Sequence, residues 1–553
     1  MVAVLAVLAG ACSSDKSTTA PATTDGVAPT TAVGGAATPT SAAATASTTA
    51  ASGSASSAPG TAAATSTAPA PSGDSGGTLV VAQSADPTSL DPYRYGSTND
   101  RNIIANMYET LVTFDLTSYK IVGSLADSWS VSTDGLTHTF KLHPGVTFHD
   151  GSPFGAADVV KSMERAKDPA SGRTTSLLAG VTATTAVDDL TVEIHLATPD
   201  RVLLSTLVDV YISPRSDSVN LGIQPNGTGP FTFKSAAANQ QVEIVKNPKY
   251  WRAGLPFLDG VTYRTIPDGT VQSLLARNGE VDMLATTPLG EIGKLQAAGL
   301  QIIGPAKGFN SGLYNMHTNT RKDPWSNKLV RQAASFALNR DAMARSLFGF
   351  MTVQSNPSAI SASLNPAAAS YDKQDLDKAK ALMAEANLGN GVDGGEMIVC
   401  GLGFQFETLA QLVQLQLADI GIKVKITVLD VATYVARTLG KDSGNFDLAL
   451  CAMVPKPNEY DLINHPYAKL FTQTIGWIDQ APEFYQLLAD ARTMTDDAQY
   501  AAAIQQLQIM AMDGQAEIIL GGAYSPVTAA ADVKGFIAHT QGTLFLANVS
   551  KSR

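Results

Sequence analysis

EMIVCGLGFQFETLAQLVQLQLADIGIKVKITVLD, residues 396–430, is the stretch whose reading decides the fold. EMIVCGLGF is an apolar run of strand length. The segment FETLAQLVQLQLADIG, 406–421, has helical spacing and ends on Gly421, a helix stop. IKVKITVLD, 422–430, is a second strand, and NFDLALCAM, 445–453, a third. Strand, helix, strand implies parallel strands joined by a right-handed crossover. The second half of the chain is therefore α/β.

The whole chain has 553 residues, roughly three or four domains' worth at about 150 residues each. The net charge of −11 and the lack of any basic run exclude a nucleic-acid partner, because phosphate binding needs clustered Lys and Arg. The three cysteines, Cys12, Cys400 and Cys451, form no CxxC pair, which excludes a zinc ribbon or a thioredoxin-type site. Beyond residue 12 no apolar run approaches the ~18–20 residues that span a bilayer.

Residues 1–11, MVAVLAVLAGA, are apolar but too short to span, and read as the core of a secretion signal. No Lys or Arg precedes Cys12, so the true start is expected upstream. Ala9-Gly10-Ala11-Cys12 resembles the bacterial lipobox, with Ala9 in place of the usual Leu. That resemblance implies cleavage before Cys12 and a diacylglycerol on its sulfur, a membrane anchor worth about 0.8 kcal/mol per buried CH2. Residues 13–77, rich in Ala, Thr, Ser and Pro, hold too little apolar bulk to offset chain entropy. They read as a disordered tether with a mean span of about 45 Å.

The first half starts with a strand at Leu79–Ala82. Ile103, Ile104, Met107, Tyr108 and Leu111 fall on one helical face. In LADSWSVSTDGLTHTFKLHPGVTFHDGSPFGAADVVKSMERA, 125–166, Asp134-Gly135 signals a hairpin and His143-Pro144-Gly145 a second turn. A helix begins near Ala156, with Gly155 in the cap region and Asp158 favouring its dipole.

These segments together resemble the family 5 solute-binding proteins of ABC importers, the group with oligopeptide, dipeptide and nickel binders. The resemblance rests on Tyr108-Glu109-Thr110-Leu111, Leu125 to Trp129, Asp134-Gly135-Leu136, Phe140-Lys141-Leu142, Phe148-His149-Asp150-Gly151 and Asp158-Val159. It continues through Gly227-Thr228-Gly229-Pro230-Phe231, Asn247-Pro248-Lys249-Tyr250-Trp251, Ile266-Pro267-Asp268 and Gly279-Glu280-Val281-Asp282. LVRQAASFALNRDAM and YDKQDLDKAKALMAEAN extend it, and it covers about 79–540. Gly155 departs from the usual Thr or Ser cap, His143 from Arg, and Asn339 from Asp. The resemblance implies a two-lobed, periplasmic-binding-protein-like α/β fold (type II, large cluster with an extra subdomain) with hinge strands. Lobe 1 is expected over 78–305, with its extra subdomain at about 115–225, lobe 2 over 306–529, and a return to lobe 1 over 530–553.

Catalytic motifs are weak. GNGVDG, 389–394, fits G-x-G-x-x-G but follows a helix and precedes a strand, the reverse of a dinucleotide site. There is no G-x-S-x-G and no H-E-x-x-H. The seven histidines lack ligand spacing, and His149 beside Asp150 reads as a turn residue rather than a metal or acid/base pair. No cofactor or metal is expected. Cys400 and Cys451 fall in neighbouring strands, where an oxidising compartment permits a disulfide. Bridges between paired parallel strands are often strained, so two buried free thiols are the expectation.

A protein of this kind binds by hinge closure. Ligands of α/β lobes sit at the carboxyl ends of strands. That selects Tyr95 and Asn99 in the loop after the first strand, and Tyr108 on the following helix. In lobe 2 it selects Phe309, Asn310 and Asn315 around the crossing, Phe404 and Phe406 after EMIVC, and Met453 and Glu459 after LALCA. Peptide binders of the family carry an Asp shortly after this last strand, pairing the peptide's ammonium. Here FDLALCAMVPKPNEYD places Pro455 near that position, with Glu459 or Asp461 as displaced substitutes. A standard dipeptide or tripeptide site is thereby put in question, since an unpaired buried ammonium costs several kcal/mol. A blocked peptide, an oligosaccharide or a hydrophobic metabolite becomes more plausible. The expectation is a monomeric, lipid-anchored binding protein on the outer face of the cytoplasmic membrane. Its partners would be a small-molecule or peptide ligand and the permease subunits of an ABC importer. A surface hydrolase or chaperone-like protein on the same scaffold is the alternative.

Overall fold

The structure, a computed structural model, describes residues 75–171, 175, 178–217, 220–305, 311–347, 349–357, 365–369, 371–401, 403–439, 443–453, 458–464 and 473–552. Cys12 and the expected signal and tether up to residue 74 lie outside them.

Two central sheets carry the molecule. The first has seven strands in the order Gln301–Ile303, Val527–Ala529, Met283–Leu284, Thr78–Gln83, Gly260–Thr265, Gln241–Lys246 and Phe231–Ala237. The opening strand turns Leu79 and Val81 to one core and Val80 and Ala82 to a second, and pairs in parallel with both of its neighbours. The second sheet runs Met351–Thr352, Glu517–Ala523, Gly312–Thr318, Leu448–Met453, Val392–Cys400 and Ile422–Leu429. Here Val392–Cys400 is parallel to both Ile422–Leu429 and Leu448–Met453, as the strand–helix–strand reading requires. The intervening helix, Phe404–Ala418, is followed by Gly421 at φ +84°, a left-handed position that suits glycine.

The two chain crossings set the geometry between lobes. Gln301–Ile303 and Val527–Ala529 are antiparallel, with Ile303 paired to Val527. Thr528 pairs with Leu284, at the carboxyl end of its strand. Both crossings therefore leave the first sheet at its carboxyl edge. They enter the second sheet where Gly312 pairs with Ala523 and Leu313 with Met453, again at a carboxyl edge. Ser311 ties the crossings together: its N–H donates to Ala523 O (2.8 Å), and its hydroxyl accepts from Ser525 N (3.0 Å). The return to the first sheet occurs at Val527, a few residues before the expected 530.

An antiparallel sheet of Ala126–Val131, Thr137–Leu142, Thr191–Leu196 and Val181–Asp188 forms its own core with helix Ala156–Lys167. Gly135 turns its hairpin at φ +72°. Gly155 caps the helix, and Asp158 Oδ2 accepts from its N–H (3.0 Å).

Two expectations are corrected. The helix carrying Ile103 and Met107 spans Thr98–Met107 and stops before Leu111. Tyr108 is already extended, and Val112–Phe114 becomes a short strand paired with Ile121–Gly123. The run Thr110, Val112, Thr113 is β-branched and disfavours a longer helix. Second, Cys400 and Cys451 are joined as a disulfide and are not free thiols. The parallel register that pairs Ile398 with Ala449 and Val399 with Leu450 brings the two cysteines level, with Cα atoms 5.4 Å apart.

Candidate functional site: the cleft between the lobes

Because both sheets present carboxyl edges to the crossings, the loops beyond those edges face one another. From lobe 1 these are the segment after Gln83 and the start of helix Thr98–Met107. From lobe 2 they are the start of helix Phe404–Ala418 beyond Cys400 and helix Glu459–Asn464 beyond Met453, with residues 402 and 454–457 outside the described residues. Ser97 caps the lobe 1 helix: Asp100 N donates to its hydroxyl (3.1 Å), and Asp100 Oδ2 accepts from Ser97 N (3.1 Å). Asp100 also accepts from Thr88 N (2.7 Å) and Gly96 N (2.7 Å), so one carboxylate shapes the whole loop.

The expected site residues divide. Tyr95 and Asn99 lie on this loop and helix start. Tyr95 is buried against Tyr211, edge to face at 6.0 Å, and Asn99 is half-buried with its amide donating to Ala85 O (3.1 Å). Met453 ends its strand at the carboxyl edge and is buried. Glu459 opens helix Glu459–Asn464 and is half-buried. Phe404 begins its helix, but its side chain lies outside the described residues, as do Phe309 and Asn310 altogether. Three of the expected residues lie in the cores instead. Tyr108 is a core side chain at the far end of its helix, accepting from Asn226 N (3.0 Å), with its phenol pKa raised by burial. Phe406 packs edge to face on Tyr314 at 5.7 Å, inside the core of lobe 2. Asn315 is fully buried in mid-strand and donates to Glu517 Oε2 (3.0 Å), while Glu517 also hydrogen-bonds His317.

Glu109 shows what the sequence motifs are for. Its carboxylate accepts from Tyr250 OH (2.8 Å), Trp251 Nε1 (2.8 Å) and Thr228 Oγ1 (2.9 Å), and burial pushes its pKa up. Tyr-Glu-x-Leu, Asn-Pro-x-Tyr-Trp and Gly-Thr-Gly-Pro-Phe are thus one clamp. The two glycines of the last are required: a Cβ at Gly227 would lie 2.1 Å from Met107 O, and one at Gly229 2.7 Å from it. A cavity of about 320 Å³ lies beside this clamp, lined by Glu109, Tyr250 and Arg252, at the helix end away from the cleft.

His149 belongs to the same clamp. Its Nε2 faces Gly229 O (3.1 Å) and its Nδ1 accepts from Gly227 N (3.3 Å), so the neutral Nε2–H tautomer fits. Burial lowers its pKa to about 4. Among the described residues no cluster of His, Cys, Asp and Glu could hold a metal. His539 is pushed down to about 3, by burial and then by the Arg101 guanidinium. The unfolded chain protonates both near 6.5, whereas the folded protein refuses the proton until about 4 and 3. Stability is therefore complete above pH 6.5 and is lost as the pH falls. At pH 5.5 the loss is expected to reach roughly 3 kcal/mol for the two histidines together. Denaturant unfolding at pH 7.5 and 5.5 measures it, and the His149→Gln variant should show a shallower dependence; an unchanged slope would remove His149 from this account.

Sequence reasoning missed the contact that holds the lobes together. Asp200 and Arg201 follow the four-stranded sheet, and Arg492 to Tyr500 belong to lobe 2. Arg492 grips Asp200 in bidentate fashion (3.0 and 2.8 Å), and Arg201 pairs with Asp497. Arg201 also donates to Thr495 O (3.2 Å) and lies 4.4 Å above the Tyr500 ring, and Val202 packs into the lobe 2 core. Burial, and then the nearby Glu459 carboxylate, raise the pKa of Tyr500, so Glu459 lies near this contact. No local signal marks residues 292 positions apart as partners.

Comparison with known proteins agrees with this two-lobed architecture. The model of the bacterial extracellular solute-binding proteins, family 5 (middle), matches residues 120–469. The chain belongs to that family. The glutathione-binding protein GsiB of Pectobacterium atrosepticum is 33% identical over 372 residues, covering 66% of this chain and 71% of the relative. Among solved structures, the periplasmic binding protein DppA of Helicobacter pylori, associated with an ABC transporter and bound to the peptide STSA, is 26% identical. It superposes with a TM-score of 0.68 over 87% of this chain and 99% of its own. HbpA2 of Haemophilus parasuis is also 26% identical, with a TM-score of 0.75 over 86% and 100%. This family 5 protein is an extracytoplasmic solute-binding protein and not an enzyme, which sets the hydrolase alternative aside.

Proposed function

We propose that this family 5 protein delivers a peptide-like solute to an ABC importer, and that glutathione or a short peptide is its ligand. The observation that carries this reading is the pair of carboxyl edges facing each other across two crossings, with Asp200–Arg492 bridging the lobes. Similarity to glutathione-binding and peptide-bound relatives supports the ligand class. With Pro455 near the expected Asp position, Glu459 or Asp461 is proposed to meet the ligand's ammonium. Phe404, Met453 and Glu459 are proposed as lobe 2 contacts, and Tyr95 and Asn99 as lobe 1 contacts. Cys12 is proposed as the lipid attachment site.

Native mass spectrometry followed by calorimetry tests this. One molecule of glutathione or of a tri- or tetrapeptide should bind saturably, and no probe should be chemically changed. Binding of sugars with no response to any peptide would refute the ligand class. Cys12→Ser should move the protein from the membrane fraction to the soluble fraction; unchanged fractionation would refute the anchor.

A further inference from the structure

Three arginines are buried among the described residues, and one of them is not like the others. Arg331 donates to Gly514 O, Trp325 O, Ser326 O and Gln480 Oε1. Arg340 donates to Ile519 O, Ser335 O, Tyr371 O and Ser335 Oγ. Each of these guanidinium groups places at least four of its five donors on acceptors of the fold. Arg101 is 6% exposed and makes one hydrogen bond, from Nη2 to Gln541 O (2.6 Å). Its Nε is buried with no partner, and no carboxylate among the described residues lies within 4.0 Å of it. Asp209 and His539 share its neighbourhood, and His539 is neutral there.

A guanidinium carries five donors, and withdrawing it from water is unfavourable unless a carboxylate touches it; Asp209, the buried acid that shares this neighbourhood, lies beyond 4.0 Å. Its position says where the anion would come from. Arg101 is in the first turn after the Ser97 cap, at the end of the helix that meets the carboxyl edge of the first sheet. Its acceptor Gln541 is three residues beyond Ala538, which bridges Pro305 in the first crossing. Arg101 therefore lies where the cleft meets the hinge.

We infer that Arg101 is a carboxylate-recognition residue on the lobe 1 wall of the cleft, its open donors reserved for an anionic group of the ligand. The inference rests on the proposed peptide-like ligand and narrows it to solutes carrying a carboxylate at the hinge end of the cleft. A charge-assisted fork of this kind amounts to about 10- to 100-fold in affinity.

The test uses the full chain with glutathione, its diethyl ester and succinate as probes, titrated by calorimetry. Wild type should prefer glutathione to the ester by tenfold or more. Arg101→Gln should erase that preference, and Arg101→Lys should keep part of it, because it keeps the charge but loses the fork. An undiminished preference in Arg101→Gln overturns the inference. If wild type ignores glutathione but binds succinate in an Arg101-dependent way, the ligand proposal fails and the subsite stands. Absence of any Arg101-dependent response to all three probes overturns the subsite. If circular dichroism shows both variants unfolded, Arg101 is a structural tie to Gln541, and the inference is likewise overturned.

Discussion

The Cys400→Ala, Cys451→Ala double variant is expected to lose about 4 kcal/mol of folding stability. The bridge closes a loop with a sequence separation of 51. Cross-linking a loop of that length removes much of the unfolded chain's freedom, and the logarithmic dependence on loop length gives the figure. The two sulfurs sit at the carboxyl ends of adjacent strands, just before the loops that reach the cleft. The variant should therefore also bind its ligand less tightly, since both loops lose their common anchor. Denaturant unfolding of wild type with and without reductant gives an independent measure. Agreement of all three curves to within about 0.5 kcal/mol, the spread of neutral substitutions, would show that the bridge contributes nothing.

Reversing one charge of the interlobe contact should be nearly as severe for function. Asp200 is largely buried, with 11% of its side chain exposed, and holds Arg492 through two hydrogen bonds. Asp200→Arg would set two guanidinium groups face to face with Arg201 alongside. Juxtaposed like charges at an interface are unfavourable by several kcal/mol, and they would act on the form in which the lobes touch. A ligand that selects the closed form then binds more weakly by the same free energy. Affinity for glutathione should fall about 30-fold or more, equivalent to roughly 2 kcal/mol. The swap Asp200→Arg, Arg492→Asp should restore most of it. Small-angle scattering of the ligand-saturated proteins would show the single variant expanded and the swap compact. Equal affinity in all three proteins would mean that the contact plays no part in closure.

The architecture was legible because its signals are local. The strand before Gly401, the helix closed by Gly421 and the hairpin at Asp134-Gly135 each depend on residues within a few positions of one another. The misreadings come from long-range terms. Tyr108 and Phe406 looked like cleft aromatics, but periodicity shows that a side chain faces inward without showing towards which neighbour. Asn315 looked like a polar group near the crossing, yet its partner Glu517 is 202 residues away. The pairing of Cys400 with Cys451 depends on a register that no local pattern encodes. Arg101 drew no notice, since a single Arg in a helix's first turn reads as surface until its one hydrogen bond, to Gln541, is seen.

The position of Val527–Ala529 constrains how the protein can be made. This strand lies between Gln301–Ile303 and Met283–Leu284, so the first sheet has an empty slot until almost the whole chain is present. Gln301 then donates to Ala530 O (2.8 Å), and Lys551 pairs with Asp282 (2.8 Å). A chain emerging amino end first from a translocation pore must wait for Glu517–Ala523 to complete the second sheet and then for Val527–Ala529 to complete the first. Prematurely terminated chains would carry an unpaired strand edge instead of a working cleft, a mark by which envelope proteases could remove them before they reach the permease.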